Sequence, residues 1–175
     1  IGPFLNEAVI LDANSLTTAP RVVAAPEGRV MMSKGDRAYV RGDLGGLRHF
    51  RRFREPRPLV DPTTREVLGY EARYVGLAEF MAAEISAVDA KGQPIAVPST
   101  FEIKSVRQEA AVGDRLAPLP ANDLSAFQPH APIGAMHGQI ISVYGEALNA
   151  GQNQIVALNR GDRDGLERGH VLSLW

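Results

Sequence analysis

Val67-Leu68-Gly69-Tyr70-Glu71-Ala72-Arg73-Tyr74-Val75-Gly76-Leu77-Ala78-Glu79-Phe80 decides the fold class. Leu68, Tyr70, Ala72, Tyr74, Ala78 and Phe80 fall on one face, and Glu71, Arg73 and Glu79 on the other with Val67, Val75 and Leu77. A period of two over this length predicts a long strand, because successive β side chains point to opposite faces. Gly69 and Gly76 are expected to mark bulges or bends. Leu77 to Ile85 is the best helical candidate, but it lacks an N-cap and follows Gly76, so it reads as the end of the strand. The expected partner is Leu47 to Arg54. Pro56-Arg57-Pro58 and Asp61-Pro62-Thr63-Thr64 lie between the two, and since proline cannot donate to a ladder, an exposed loop is expected there.

Further out, short apolar runs alternate with turn chemistry. Val9 to Leu11 and Arg21 to Ala24 read as strands separated by a turn at Asp12-Ala13-Asn14-Ser15. Gly28 to Met32 and Arg37 to Arg41 read as a hairpin around Ser33-Lys34-Gly35-Asp36, where Gly35 supplies the positive φ of a tight turn. Asp89 to Gln93 is another turn, and Phe101 to Val106 another strand. Prolines 118, 120, 129 and 132 make residues 118–132 a candidate connection. The last unit reads as strands at Gly138 to Tyr144, Gln154 to Leu158 and His170 to Trp175, with a glycine-rich turn carrying Gly161, Gly165 and Gly169. In that turn the glycines permit sharp bends and Leu166 plugs the end of the lobe. Gly35-Asp36-Arg37, Gly113-Asp114-Arg115 and Gly161-Asp162-Arg163 form a weak internal echo, as if one turn were reused between short strands.

The fold expectation is therefore all-β: short antiparallel strands in one or two small barrel-like lobes, with little helix. Residues 1–175 form one compact β unit, with sub-lobes at 1–117 and 133–175 joined by the proline-rich 118–132. The 17 glycines and 12 prolines agree with many turns. A chain of 175 residues that is 45% hydrophobic can build a core without metal or disulfide staples. The absence of cysteine excludes thiol catalysis and Cys-ligated zinc. A net charge of −1 gives no general attraction to nucleic acid or anionic membrane, and no apolar run is long enough to span a bilayer. The chain begins at Ile1 without a Met and reads as a piece of a larger protein.

Arg48-His49-Phe50-Arg51-Arg52-Phe53-Arg54, with Arg57 just after, is the densest charge cluster. Arginines interleaved with aromatics can track phosphates and stack bases. The same pattern also suits an edge strand whose arginines are solvated or paired with Glu55, Glu71 or Glu79. Given the net charge, the second reading is preferred and no nucleic-acid partner is expected. Arg48, Phe50, Arg51, Arg52, Phe53 and Arg54, with the nearby Tyr70 and Tyr74, are the candidate contact residues, since planar Arg forks meet carboxylates and exposed rings pack on sugar faces. His49, His130, His137 and His170 show no metal-ligand spacing, so a metal site would need long-range convergence, and no metal or cofactor is expected. No nucleophile elbow, phosphate loop or dinucleotide fingerprint is present, so no catalytic residue is assigned. Carboxylates such as Asp61, Glu66, Glu71 and Asp123 could serve hydrolysis only by meeting in space.

Pro58-Leu59-Val60-Asp61-Pro62, Glu66-Val67-Leu68-Gly69-Tyr70-Glu71-Ala72, Val156-Ala157-Leu158-Asn159-Arg160-Gly161 and Asp164 to Leu172 together resemble proteobacterial LysM-domain cell-envelope proteins, in the region C-terminal to the LysM module. The resemblance covers most of the chain and is weakest over 81–99 and 121–128. It implies a non-catalytic accessory or binding domain of a peptidoglycan-associated protein in the periplasm, whose partner is peptidoglycan or an envelope protein. No LysM module is evident here, so that module's glycan-binding residues have no positions to occupy. A cell-wall hydrolase acting through carboxylates, and an assembly domain pairing edge to edge through the strand from Val67 to Phe80, are the alternatives.

Overall fold

The computed structural model describes residues 7–120, 128–145 and 149–175. It is a mostly β, antiparallel structure with little helix. Its strands are β1 (Val9–Leu11), β2 (Arg21–Ala24), β3 (Met31–Met32), β4 (Arg37–Arg41), β5 (His49–Val60), β6 (Val67–Ala82), β7 (Ile85–Val88), β8 (Pro94–Val97), β9 (Ser99–Val106), β10 (Ala110–Ala111), β11 (Arg115–Pro118), β12 (Ile140–Val143) and β13 (Val156–Leu158). The large sheet runs β1-β6-β5-β11-β2-β4-β9, and β9 pairs back onto β6, so six of its strands form a ring while β1 adds to the other half of β6.

β6 is long enough to serve two neighbours on one edge. Residues Tyr70–Ala72 pair with β1, and the stretch from Gly76 to Ala82 pairs with β9. The bulges fall where the glycines predict them. Arg52 pairs with Gly76 but Phe53 with Tyr74, and Leu59 pairs with Gly69 but Val60 with Val67. The bulge at Gly76 also changes which face is buried. Ala72, Val75 and Ala78 are buried at a spacing of three, because one extra residue reverses the alternation. The single apolar face expected for this strand is therefore split in two. Among the described residues, β6 is flanked by β5 on one edge and, over parts of the other, by β1 and β9.

Two cores result. The ring encloses Val22, Met32, Ala38, Val40, Phe50, Ala78, Phe101, Ile103 and Leu116. Phe101 packs edge-on against Phe50 and Phe80, with centroids 5.6 and 5.8 Å away, the arrangement aromatic quadrupoles favour. Outside the ring, Val9, Leu11, Phe53, Ala72 and Ala117 form a second core, against which Leu16 and Ala19 pack.

Several connections differ from the sequence reading. Asp12 to Ser15 opens a short helix, α1 (Ala13–Thr18), because the Asp12 carboxylate accepts the Ser15 N–H at 2.7 Å as an N-cap. Pro56-Arg57-Pro58 is not a loop but lies within β5. Among the described residues β11 pairs with β5 from Phe50 to Phe53 and no strand pairs with that edge further along, so its prolines break no ladder. The turn at 33–36 exists, but its flanks do not pair with each other: β3 pairs with β10, and β4 lies between β2 and β9. Val171 to Trp175 forms no strand; Val171 is 60% and Trp175 99% exposed. Of the proline-rich connection, residues 121–127 lie outside the described residues.

β12 and β13 form a separate hairpin with a bulge between Ile140 and Ser142. Asp61 and Asn159 tie it to the end of β5. The Asn159 side-chain amide donates to Asp61 at 2.9 Å, and its carbonyl oxygen accepts the Gln139 N–H at 2.7 Å. Both residues are buried. Asp61 also accepts the Thr63 and Thr64 N–H groups, which closes the turn between β5 and β6.

Candidate functional site

The arginine-rich stretch alternates around β5. Phe50 and Arg52 belong to the inside of the ring, while Arg51 and Phe53 lie on the side covered by β1 and α1. Phe50, Phe53 and Arg52 are at most 1% exposed, so they are core residues and not a contact surface. Arg52 spans the ring. It donates to Asp114 at 2.8 Å, to the Val75 carbonyl at 3.1 Å and to the Ser105 carbonyl at 3.0 Å. Arg54 closes on the same carboxylate. Burial pulls the Arg52 guanidinium down from its ordinary value, and Asp114 opposes that shift. Arg51, also buried, donates to the Ala8 carbonyl at 2.8 Å. Of the arginines between Arg48 and Arg54, Arg48 is the exposed one. Tyr70 is half-buried, between Pro58 and Leu11 in the sheet.

The cluster thus resolves into an internal clamp, and the carboxylate that holds it, Asp114, was not among the candidate partners. Its signal was the repeated Gly-Asp-Arg string. Gly76 belongs to the same clamp: with φ at +145°, a Cβ there would sit 2.4 Å from Arg52 Nη2 and 2.2 Å from the Ser105 oxygen.

A shallow concavity borders the clamp at Arg54, Gly113 and Asp114, and a larger one lies where β5 and β6 meet β12. The larger is a cleft of about 520 Å³, walled by Glu7, Glu55, Arg57, Glu71, Arg73, Tyr74, Arg107 and Tyr144 over a floor that includes Leu59, Ala72, Ile141 and Val143. Its rim is shaped by a bulge: Arg54 pairs with Arg73 but Arg57 with Glu71, and Glu55 takes a left-handed φ of 49°. A non-glycine residue in that conformation costs about 1 kcal/mol or more, and bulges of this kind re-aim side chains.

Polar groups line the cleft in pairs. Glu55 meets Arg73 at 2.9 Å, and Glu7 meets Arg107. Ser142 Oγ donates to Glu71 at 2.5 Å. Tyr144 donates its hydroxyl to the Glu7 carbonyl and accepts the Tyr74 N–H at 3.3 Å. Burial pushes the Tyr144 phenol up from its ordinary value, so it stays a neutral donor. Three carboxylates face three guanidiniums here, so the wall is charged but balanced. Of the candidate contact residues, the cleft takes only Tyr74; Arg57, singled out beside the cluster, lines it as well.

Among the described residues, one group of side chains has metal-ligand character: His130, Glu167 and His170. Of the turn glycines, Gly35, Gly165 and Gly169 have φ of +88°, +83° and +100°. Gly161 is extended at −146°, a conformation that does not call for glycine, and it serves as N-cap of a short 3-10 turn, Asp162–Asp164. Leu166 is half-buried. No protein-family model matches the chain, and no curated protein matches it.

Proposed function

We propose that this chain is a non-catalytic binding domain of a LysM-type, peptidoglycan-associated envelope protein facing the periplasm, and that the cleft between β6 and β12 takes the peptide stems of the cell wall. The observation that carries the reading is the cleft's balanced wall: Arg57, Arg73 and Arg107 interspersed with Glu7, Glu55 and Glu71 over an apolar floor. Stem peptides bear carboxylates, ammonium groups and short apolar side chains along an extended backbone. Arginine forks match the first and glutamates the second, and the floor accepts small side chains. The polar atoms are already paired within the protein, so binding exchanges partners instead of creating buried charges, and affinity should be modest.

Co-sedimentation of the purified chain with peptidoglycan sacculi tests this. An Arg57→Glu/Arg107→Glu variant alters two cleft cations, and Lys91→Glu, in the exposed β7–β8 turn, serves as control. Retention of the parent and of Lys91→Glu, with loss of at least about tenfold in the double variant, is the expected result. Equal retention of all three, or none for the parent, counts against the cleft.

A further inference from the structure

We propose that His130, Glu167 and His170 form a binding site for a divalent transition-metal ion, Zn²⁺ in particular, that clips residues 128–132 to the turn at 167–171. The two histidines are forty residues apart in sequence and are brought together by a parallel β-bridge. The His130 N–H donates to the Gly169 carbonyl at 2.9 Å and the Val171 N–H to the His130 carbonyl at 2.8 Å. The two rings meet edge to face with centroids 4.8 Å apart. One ligand atom from each of the three side chains lies within 4.8 Å of the others. In a tetrahedral site with zinc–ligand bonds of about 2.0–2.1 Å, ligand atoms are separated by about 3.3 Å. Rotation of partly exposed side chains covers that difference.

Three features support the assignment. His130 Nδ1 lies 2.8 Å from the Gln128 carbonyl. A backbone carbonyl at that nitrogen fixes the tautomer with Nδ1–H and leaves Nε2 as a lone-pair donor, the orientation found in zinc-bound histidines. Second, Gly169 permits the approach: a Cβ at this position would lie 3.0 Å from the His130 ring and 2.8 Å from the Gln128 oxygen. Third, two imidazoles and one carboxylate are a set that zinc accepts with an open fourth position, whereas calcium and magnesium require oxygen ligands. The site has one cost. His170 Nδ1 accepts the Glu167 N–H at 3.1 Å, and metal binding at that ring displaces this bond, which water replaces at an exposed backbone group.

The test is a titration of the full chain with ZnCl₂, followed by calorimetry and by long-range ¹H–¹⁵N spectra of the histidine rings. The expected result is one zinc per chain, with ring signals of His130 and His170 moving together while those of His49 and His137 stay in place. His130→Ala and His170→Ala should each weaken binding at least about tenfold, Glu167→Gln should weaken it less, and His137→Ala should leave it unchanged. Absence of saturable binding overturns the proposal, as does movement of His49 or His137 in place of the pair. The ring spectra are recorded on the unsubstituted chain, so the result does not depend on how any variant folds.

Discussion

Arg52 carries a guanidinium into the interior of the ring, and the carboxylate of Asp114, itself 1% exposed, is what makes that tolerable. A buried charge stripped of its partner is far more costly than the pair is beneficial. Asp114→Ala is therefore expected to lower stability by about 3–5 kcal/mol, read as a shift of the urea midpoint. A loss under about 1 kcal/mol would mean that the two carbonyls bonded to Arg52 suffice. Asp61 behaves differently because neutral donors hold it first, with the Arg160 guanidinium 3.9 Å away adding a smaller pull in the same direction. The N–H groups of Thr64 and Thr63 and the amide of Asn159 hold its carboxyl below the usual carboxylate value. The native state then binds fewer protons than the unfolded chain in acid. This stabilisation is complete above about pH 5 and is lost as pH falls below the ordinary value of about 3.9. Thermal melts of Asp61→Asn should show a lower Tm at neutral pH and a shallower decline between about pH 5 and pH 2 than the parent. Parallel curves would place the acid sensitivity elsewhere.

At the scale of elements, the recurring unit is a turn. Ser33 to Asp36 and Ala111 to Asp114 are built alike. In each, the aspartate N–H donates to the carbonyl three residues back, at 3.1 Å in both cases. Its carboxylate accepts the N–H of that same residue, at 2.7 Å from Ser33 and 3.1 Å from Ala111. Gly35 and Gly113 hold positive φ, and each turn joins a two-residue strand to a ring strand: β3 to β4, and β10 to β11. β3 and β10 pair with each other, so the two units face one another. Gly161-Asp162-Arg163 does not share this geometry. A Cβ at Gly35 or Gly113 would meet nothing within 4 Å, so substitution there registers backbone strain alone. Gly35→Ala and Gly113→Ala should each cost about 1–2 kcal/mol, while Gly161→Ala should stay within about 0.5 kcal/mol. Equal costs at all three in chemical denaturation would contradict the distinction. The Gly-Asp-Arg strings and the β6 alternation were readable because turn and strand preferences are local. The pairing of β3 with β10 was not, since it joins segments whose own sequences are too short to show a period.

On the scale of the whole molecule, closure of β9 onto β6 explains both what was legible and what was hidden. The all-β class follows from strand periodicity and from glycine and proline punctuation. The fate of Arg48 to Arg54 does not, because alternation shows that Phe50 and Arg52 share a face but not that the ring encloses it. A charged run with net charge near zero reads as surface until a distant carboxylate is known to meet it. The cleft was equally hidden. Its walls come from β5, β6 and the hairpin of β12 and β13, brought together by the Asp61–Asn159 contact across 98 positions and by the Ser142–Glu71 and Tyr144–Tyr74 bonds. The hairpin should thus be required for any ligand held there. Asn159→Ala, which cuts the buried one of these ties, is expected to reduce retention on sacculi severalfold while leaving the far-UV spectrum of the ring intact, and unchanged retention would show that the Asp61–Asn159 tie does not set the cleft. The most direct measurement is a backbone NMR titration with a soluble muropeptide carrying a complete stem. Shifts concentrated at Glu71, Arg73, Tyr74, Arg107 and residues 142–145 are predicted. Saturating shifts confined to the β7–β8 hairpin or to β4, or no shifts at millimolar ligand, would contradict it.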